Sequence, residues 1–250
     1  MTKQFEGKVA LVTGASAGIG KATAIAFGRE GAGVVVAARR EAESLETVAE
    51  IEALGSKAIF VPTDVKEPDQ IEAMVQAAKD EFGGLDFAFN NAGEGAGFGP
   101  LHEITDETWT HYYEVFLKSV YLCMKAQIPL MLERGGGSIV NNSSMAGLIG
   151  SPNVAYTAMK HGVIGLTKAT SHQYANDGVR INAVCPGWIE TDMTSGFRER
   201  QEWVDFLMFG SSIKRPGNPD EVASLVIWLC SEGASFTTAT AIPVSGGLVA

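Results

Sequence analysis

The chain has 250 residues, 46% of them hydrophobic, which is enough for one large core, so a single domain over residues 1–250 is expected. Its net charge of −10, with no Lys/Arg-rich run and no basic arm, argues against nucleic acid as a partner. No apolar run reaches the roughly 18 residues of a membrane span, and Met1–Glu6 has no apolar leader, so a cytoplasmic protein without membrane contact is expected.

Lys8–Thr13 (KVALVT) reads as a short buried strand. It runs into Gly14-Ala15-Ser16-Ala17-Gly18-Ile19-Gly20, and a packed helix follows that stops near Gly31. Strand, glycine turn and helix are the setting of a dinucleotide-binding loop. The glycines let the backbone approach a pyrophosphate, and the helix start offers free N–H groups and a positive dipole end. The spacing is G-x-x-x-G-x-G rather than G-x-G-x-x-G, and a tight turn without a ligand is the competing reading.

Gly33–Ala38 is a second buried strand. A carboxylate at its end would accept from a ribose 2′-hydroxyl and repel a 2′-phosphate. Here Ala38 is followed by Arg39 and Arg40, so NADP(H) is favoured. Pairing of these arginines with Glu41 or Glu43 would leave NAD(H) open.

Glu41–Leu54 reads as an amphipathic helix, Ala58–Pro62 as a strand leading into Asp64-Val65, and Pro68–Phe82 as a helix stopped by Gly83-Gly84. Leu85–Phe89 is a further strand, leading into Asn90-Asn91-Ala92-Gly93. This alternation predicts an α/β fold, a Rossmann-like doubly wound sheet, mostly parallel, with helices on both faces. Ligands of such sheets lie beyond the strand C-termini. Gly14, Arg39, Asp64 and Asn91 would gather there, with Asp64 placed to accept from an adenine amino group and Asn90 and Asn91 to brace the loops.

A long helix is expected over about Glu107–Glu133, then a strand, Gly136–Asn142, delivering Ser143-Ser144. Tyr156–Asn176 reads as another long helix. Tyr156 and Lys160 share one face of it, being four residues apart. A phenol titrates near 10, and a fixed ammonium one turn away favours its ionised form. Ser144 could hold a carbonyl or alcohol oxygen against it. Val179–Val184 is a strand ending in Cys185-Pro186-Gly187, Pro219–Ser231 a helix, and Ala241–Val244 a seventh strand. Cys123, Cys185 and Cys230 are odd in number and embedded in apolar runs, which reads as buried thiols in a reducing compartment. No metal site is expected, and His161 and His172 read as solvated or packed.

Together these pieces resemble the short-chain dehydrogenases/reductases in their single-domain form, from Lys8 to the C-terminus. The motifs occur in the family's order: Thr13–Gly20 as T-G-x-x-x-G-I-G, Asp64-Val65, Asn90–Gly93 as N-N-A-G, Ser144, Tyr156/Lys160 and Pro186-Gly187. The resemblance implies a seven-stranded sheet, a nicotinamide cofactor, and hydride transfer between a small-molecule alcohol and its carbonyl. It implies Tyr156 as acid/base, Lys160 as the group lowering its pKa and holding the nicotinamide ribose, and Ser144 as the group binding the substrate oxygen. Gly14, Ser16, Gly18, Ile19 and Gly20 would bind the pyrophosphate side of the cofactor. Arg39, Arg40, Asp64, Val65 and Asn91 would bind its adenosine side. Pro186, Gly187, the backbone at Ile189 and the Thr191 hydroxyl would flank the carboxamide. A homo-oligomer, tetramer or dimer, is implied, with the two long helices between subunits.

One departure stands out. Where the family places an Asn in a V-N-L-K-type stretch, this chain has Val115-Phe116-Leu117-Lys118. A phenyl ring cannot hydrogen-bond a water that would link Lys160 to solvent. Another polar group such as Tyr112 or Ser119 could serve, the phenol could regain its proton by another route, or the protein could bind cofactor without turnover. Ser245 and Ala239 also stand where the family often has Asp and Gly. Phe98, Met145, Leu148 and Ile149, with Met193, Phe197, Trp203 and Phe206–Phe209 in Glu190–Ile213, suggest an apolar pocket for a hydrophobic ketone or secondary alcohol. The competing reading is that these side chains pack against the body of the protein.

Overall fold

The apolar strands send alternate side chains to opposite faces, and both faces are covered. In β1 (Val9–Thr13), Val9 and Leu11 enter one core while Ala10 and Val12 enter the other. β2 (Gly33–Ala38) divides Val35 and Ala37 from Val34 and Val36 in the same way. The first core is closed by α3 (Pro68–Phe82), α5 (Ser119–Glu133) and α6 (Val154–Tyr174), through Ile71, Met74, Met124, Met131 and Val163. The second is closed by α1 (Gly18–Arg29), α2 (Glu41–Ala53) and α7 (Pro219–Cys230), through Phe27, Ile51, Val222 and Leu229. The computed structural model describes residues 3–95, 99–197, 204–205 and 210–249.

With β3 (Ala58–Pro62), β4 (Phe87–Asn90), β5 (Gly137–Asn142), β6 (Val179–Pro186) and β7 (Ala241–Val244), the sheet order is β3-β2-β1-β4-β5-β6-β7. Every pairing is parallel. The winding direction reverses between β1 and β4, which opens a crevice beyond their C-terminal ends.

β4 begins two residues later than the sequence pattern suggests. Asp86 lies just before it as a buried anchor, accepting from Val9 N, Lys8 and Arg134. α6 begins two residues earlier than expected, because the Asn153 side chain caps it by accepting from Tyr156 N at 3.0 Å. The long helix expected over 107–133 is not uniform. It consists of α4 (Asp106–Tyr113), a π-helical turn at Glu114–Lys118, and α5. By length and composition Asp106–Glu133 could cross a membrane, a point that counting unbroken apolar runs misses. Here Val120, Cys123, Met124 and Met131 bury it against the sheet.

A buried amide network ties this helix to the strands that carry the cleft. Asn90 and Gln127 exchange amide hydrogen bonds, Asn90 also donates to Asn141, and Asn141 donates to Thr167 of α6. Buried amides matched in this way resist displacement, since breaking one leaves its partner unpaired. Ala239, noted for standing where glycine is common, has φ of 58°, the left-handed region in which a Cβ is unfavourable.

Candidate active site

The strand ends line one cleft of about 360 Å³. Its wall contains Gly14, Ser16, Gly18 and Ile19; Arg39, Arg40, Asp64, Val65 and Asn91; Ser144, Tyr156 and Lys160; and Pro186, Gly187, Ile189 and Thr191. Of the residues assigned from sequence, Gly20 alone stands behind the wall, and it shapes it. A Cβ there would lie 2.2 Å from the Gly14 carbonyl oxygen, so only glycine lets α1 start this close to β1. Gly14 has φ of 67°, and a Cβ on it would lie 2.9 Å from Ala92 Cα. α1 has no side-chain cap, which leaves its first N–H groups for a ligand at the cleft floor. Asn91 braces the floor: it donates to the Thr13 carbonyl, and its own Oδ1 accepts from Asn142 Nδ2. These residues fit a dinucleotide.

At the adenosine end the two arginines part company. Arg40 donates through Nε and an Nη to Ser16 Oγ, at 3.3 and 3.1 Å, and so hangs over the glycine loop. It also pairs with Glu43 at 3.3 Å, as the competing sequence reading allowed. Arg39 turns toward Glu94, at 3.7 Å, a residue of the cleft wall that also contacts His111. Asp64 accepts from the backbone N–H of Lys66, a further cation on the wall. Glu94 and Lys66 were missed in the sequence. Each directly follows a recognised motif, and that adjacency was the available signal.

At the other end Ser144 and Tyr156 are half-buried and the lysine beside them is buried. Lys160 is 4% exposed. The Ser144 hydroxyl is within hydrogen-bonding reach of the Tyr156 oxygen, and its Oγ accepts from Ala146 N at 3.1 Å, which fixes its position at the end of β5. Burial pushes Tyr156 above the ordinary phenol value, and the Ser144 hydrogen bond opposes it only in part. The depression expected from Lys160 is therefore corrected. Its ammonium donates to the Asn142 carbonyl at 2.7 Å and lies 5.5 Å from the centre of the Tyr156 ring. Burial in turn pushes Lys160 down to about 8. Asn142 was also missed in the sequence, although it ends β5 two residues before Ser144. Its Oδ1 is buried and unpartnered, beside the cleft.

Beside Lys160 on the same cleft wall stands Phe116, 3% exposed, on the π-helical turn. The Ser119 hydroxyl donates to the Val115 carbonyl at 2.6 Å, and the Tyr112 oxygen faces the Asn153 amide at 3.5 Å. Both substitutes considered from sequence thus hold partners of their own. The three cysteines are free and buried, with thiols pushed up to about 12, 11 and 12 for Cys123, Cys185 and Cys230. His161 and His172 are exposed on α6. Met193 is exposed on the cleft wall; Leu148 and Ile149 are exposed but are not among the residues that line the cleft. Phe98, Trp203 and Phe206–Phe209 lie outside the described residues, as does the side chain of Phe197.

A family model described as enoyl-(acyl carrier protein) reductase matches residues 14–249. Cyclohexanol dehydrogenase from Acinetobacter sp. (strain SE19) is 42% identical over 247 residues, covering 98% of this chain and 96% of that protein. The chain is a short-chain dehydrogenase/reductase. Among solved structures, levodione reductase superposes with a TM-score of 0.93 at 33% identity, covering 98% of both chains. L-sorbose reductase from Gluconobacter frateurii, solved with NADPH and L-sorbose, superposes with a TM-score of 0.92 at 31% identity, covering 100% of this chain and 99% of that one. As a short-chain dehydrogenase/reductase, the protein is an oxidoreductase acting at CH–OH on alcohol and ketone substrates, with a cofactor of the NAD(P)(H) class. The non-catalytic alternative raised by Phe116 is thereby set aside.

Proposed function

We propose that this enzyme interconverts a hydrophobic cyclic secondary alcohol and its ketone, using NADP(H), with Tyr156, Ser144 and Lys160 as its reacting side chains. The observation that carries this reading is the gathering of Ser144, Tyr156 and Lys160 at one end of a dinucleotide-shaped cleft. When bound, the nicotinamide supplies or accepts the hydride. Tyr156 gives its proton to the carbonyl oxygen in reduction and takes it back in oxidation. Ser144 holds that oxygen, and Lys160 places positive charge beside the phenol. Ile189 and Thr191 border the place for the carboxamide. Arg40, held on Ser16, is the better placed arginine for a 2′-phosphate, and Arg39 is second. The cyclic substrate class rests on the likeness to cyclohexanol dehydrogenase and on the apolar Met193 at the cleft wall.

Exposed Trp109, Tyr113 and Tyr121 on α4 and α5, with Trp228 and Phe236 elsewhere, support a dimer or tetramer. The free thiols support a cytoplasmic setting. The test is nicotinamide absorbance with cyclohexanol, linear alcohols and hydroxy acids, each with NADP+ and NAD+. Cyclohexanol with NADP+ is expected to give the highest kcat/KM, about tenfold above NAD+. A preference for charged alcohols, or no turnover of any, would contradict the reading.

A further inference from the structure

The Phe116 ring sits among four neighbours. The Tyr156 ring stands perpendicular to it, with centroids 5.1 Å apart. The Tyr112 ring is 5.5 Å away, and the Lys160 Nζ lies 5.2 Å from the Phe116 centroid. On the cleft side it meets the Asn-Asn-Ala-Gly loop, where a Cβ on Gly93 would come within 3.1 Å of Phe116 Cε1. The lysine nitrogen therefore has one carbonyl, that of Asn142, and two aromatic rings around it. An aromatic face attracts an ammonium without supplying a hydrogen-bond path for its proton.

We propose that Phe116 is a positioning residue: its ring, on the cleft wall beside Lys160, covers one side of the ammonium against water and holds the lysine against Tyr156, so that the phenol regains its proton from the cleft. This inference rests on the reading of Tyr156 and Lys160 as the reacting pair. In reduction the Tyr156 O–H bond breaks as the product O–H bond forms. After product leaves, a proton taken up from solvent through the cleft returns to the phenolate oxygen, one per carbonyl reduced, to balance the proton carried away in the product O–H. The π-helical turn is what brings residue 116 to this place. An inserted residue rotates the helix locally, so the ring faces Lys160 while Val115 and Leu117 stay in apolar clusters. The titratable groups around the pair are Tyr112 on α4 and Cys185 on β6. Glu114 and Lys118, on the turn itself, pair with each other at 3.4 Å.

The test follows the Lys160 ammonium directly, by side-chain nitrogen NMR of the full chain without cofactor. The resonance is assigned by its loss in Lys160→Met. Phe116→Asn admits water beside the ammonium and is expected to move its titration midpoint upward by about half a pH unit or more. Phe116→Leu keeps an apolar wall and is expected to leave the midpoint in place or lower it. An unmoved midpoint in Phe116→Asn would overturn the proposal, as would an equal rise in both variants. If Phe116→Asn does not fold, Phe116→Gln takes its place with the same expectation. A purely structural role would change stability and kcat without separating these midpoints. Turnover that survives Tyr156→Phe would instead overturn the reading of the site, leaving the NMR result to judge Phe116 alone.

Discussion

The two ends of the cleft hold their charges in opposite ways. At the adenosine end, Arg39, Arg40 and Glu94 are partly in solvent, and the Arg39–Glu94 and Arg40–Glu43 pairs are longer than 3 Å. At the reacting end, Lys160 and Tyr156 are enclosed, and burial is the largest influence on both. Exposed pairs are screened and contribute little each, so selection there is a sum of modest terms. Enclosed groups have few partners, and removing one has a large effect.

The frame shared by both ends gives the largest expected effect. Gly20→Ala forces a methyl onto the Gly14 carbonyl and should abolish cofactor binding in titration calorimetry. Retained affinity would mean that α1 can move away without harm to either end.

Lys160→Met tests the reacting end alone. Turnover should fall at least about 10²-fold. Stability should rise by roughly 1 kcal/mol, seen as a Tm increase of about 2–4 °C at neutral pH, because a buried charge is removed. The sign with pH follows from the depressed value. Lys160 titrates at about 8 in the folded chain against an ordinary 10.5, so the unfolded chain binds more protons between those values. Its contribution to stability therefore rises with pH across that window, and the variant should lack this rise in denaturant melts.

The open end should respond more weakly. Arg40→Ala is expected to raise the KM for NADP+ about tenfold and Arg39→Ala about threefold, with the KM for NAD+ nearly unchanged in both. Equal effects on the two cofactors would mean that neither guanidinium meets a 2′-phosphate. Smallest is Glu94→Gln, which frees Arg39 and should lower the KM for NADP+ about twofold.

The same contrast explains what was legible in the sequence. Buried on both faces, β2 left an unbroken apolar run, and its bounds are those that the pattern gives, as are those of the half-buried edge strands β3 and β7. The glycine loop was legible because close backbone approach leaves only one residue type able to serve at Gly14 and Gly20. The π-helical turn was not legible. Its five residues carry no breaker, and what turns Phe116 toward Lys160 is packing against Tyr156 and Gly93, which are distant in sequence. The direction of the Tyr156 shift was missed for a related reason. Spacing of four residues gave a shared helix face, but not the Asn142 carbonyl that takes the ammonium. At the open end, a pair of adjacent arginines could not reveal that one bends to Ser16 and the other to Glu94.

The central claim is that Tyr156 carries the proton at the reacting end while the open end carries much of the cofactor recognition. Its most direct measurement is Tyr156→Phe, with kcat for cyclohexanol oxidation and the Kd for NADPH determined on the same preparation. The expected result is a kcat lower by at least about 10²-fold with a Kd within about threefold of the unaltered enzyme. Turnover at the unaltered rate would contradict it.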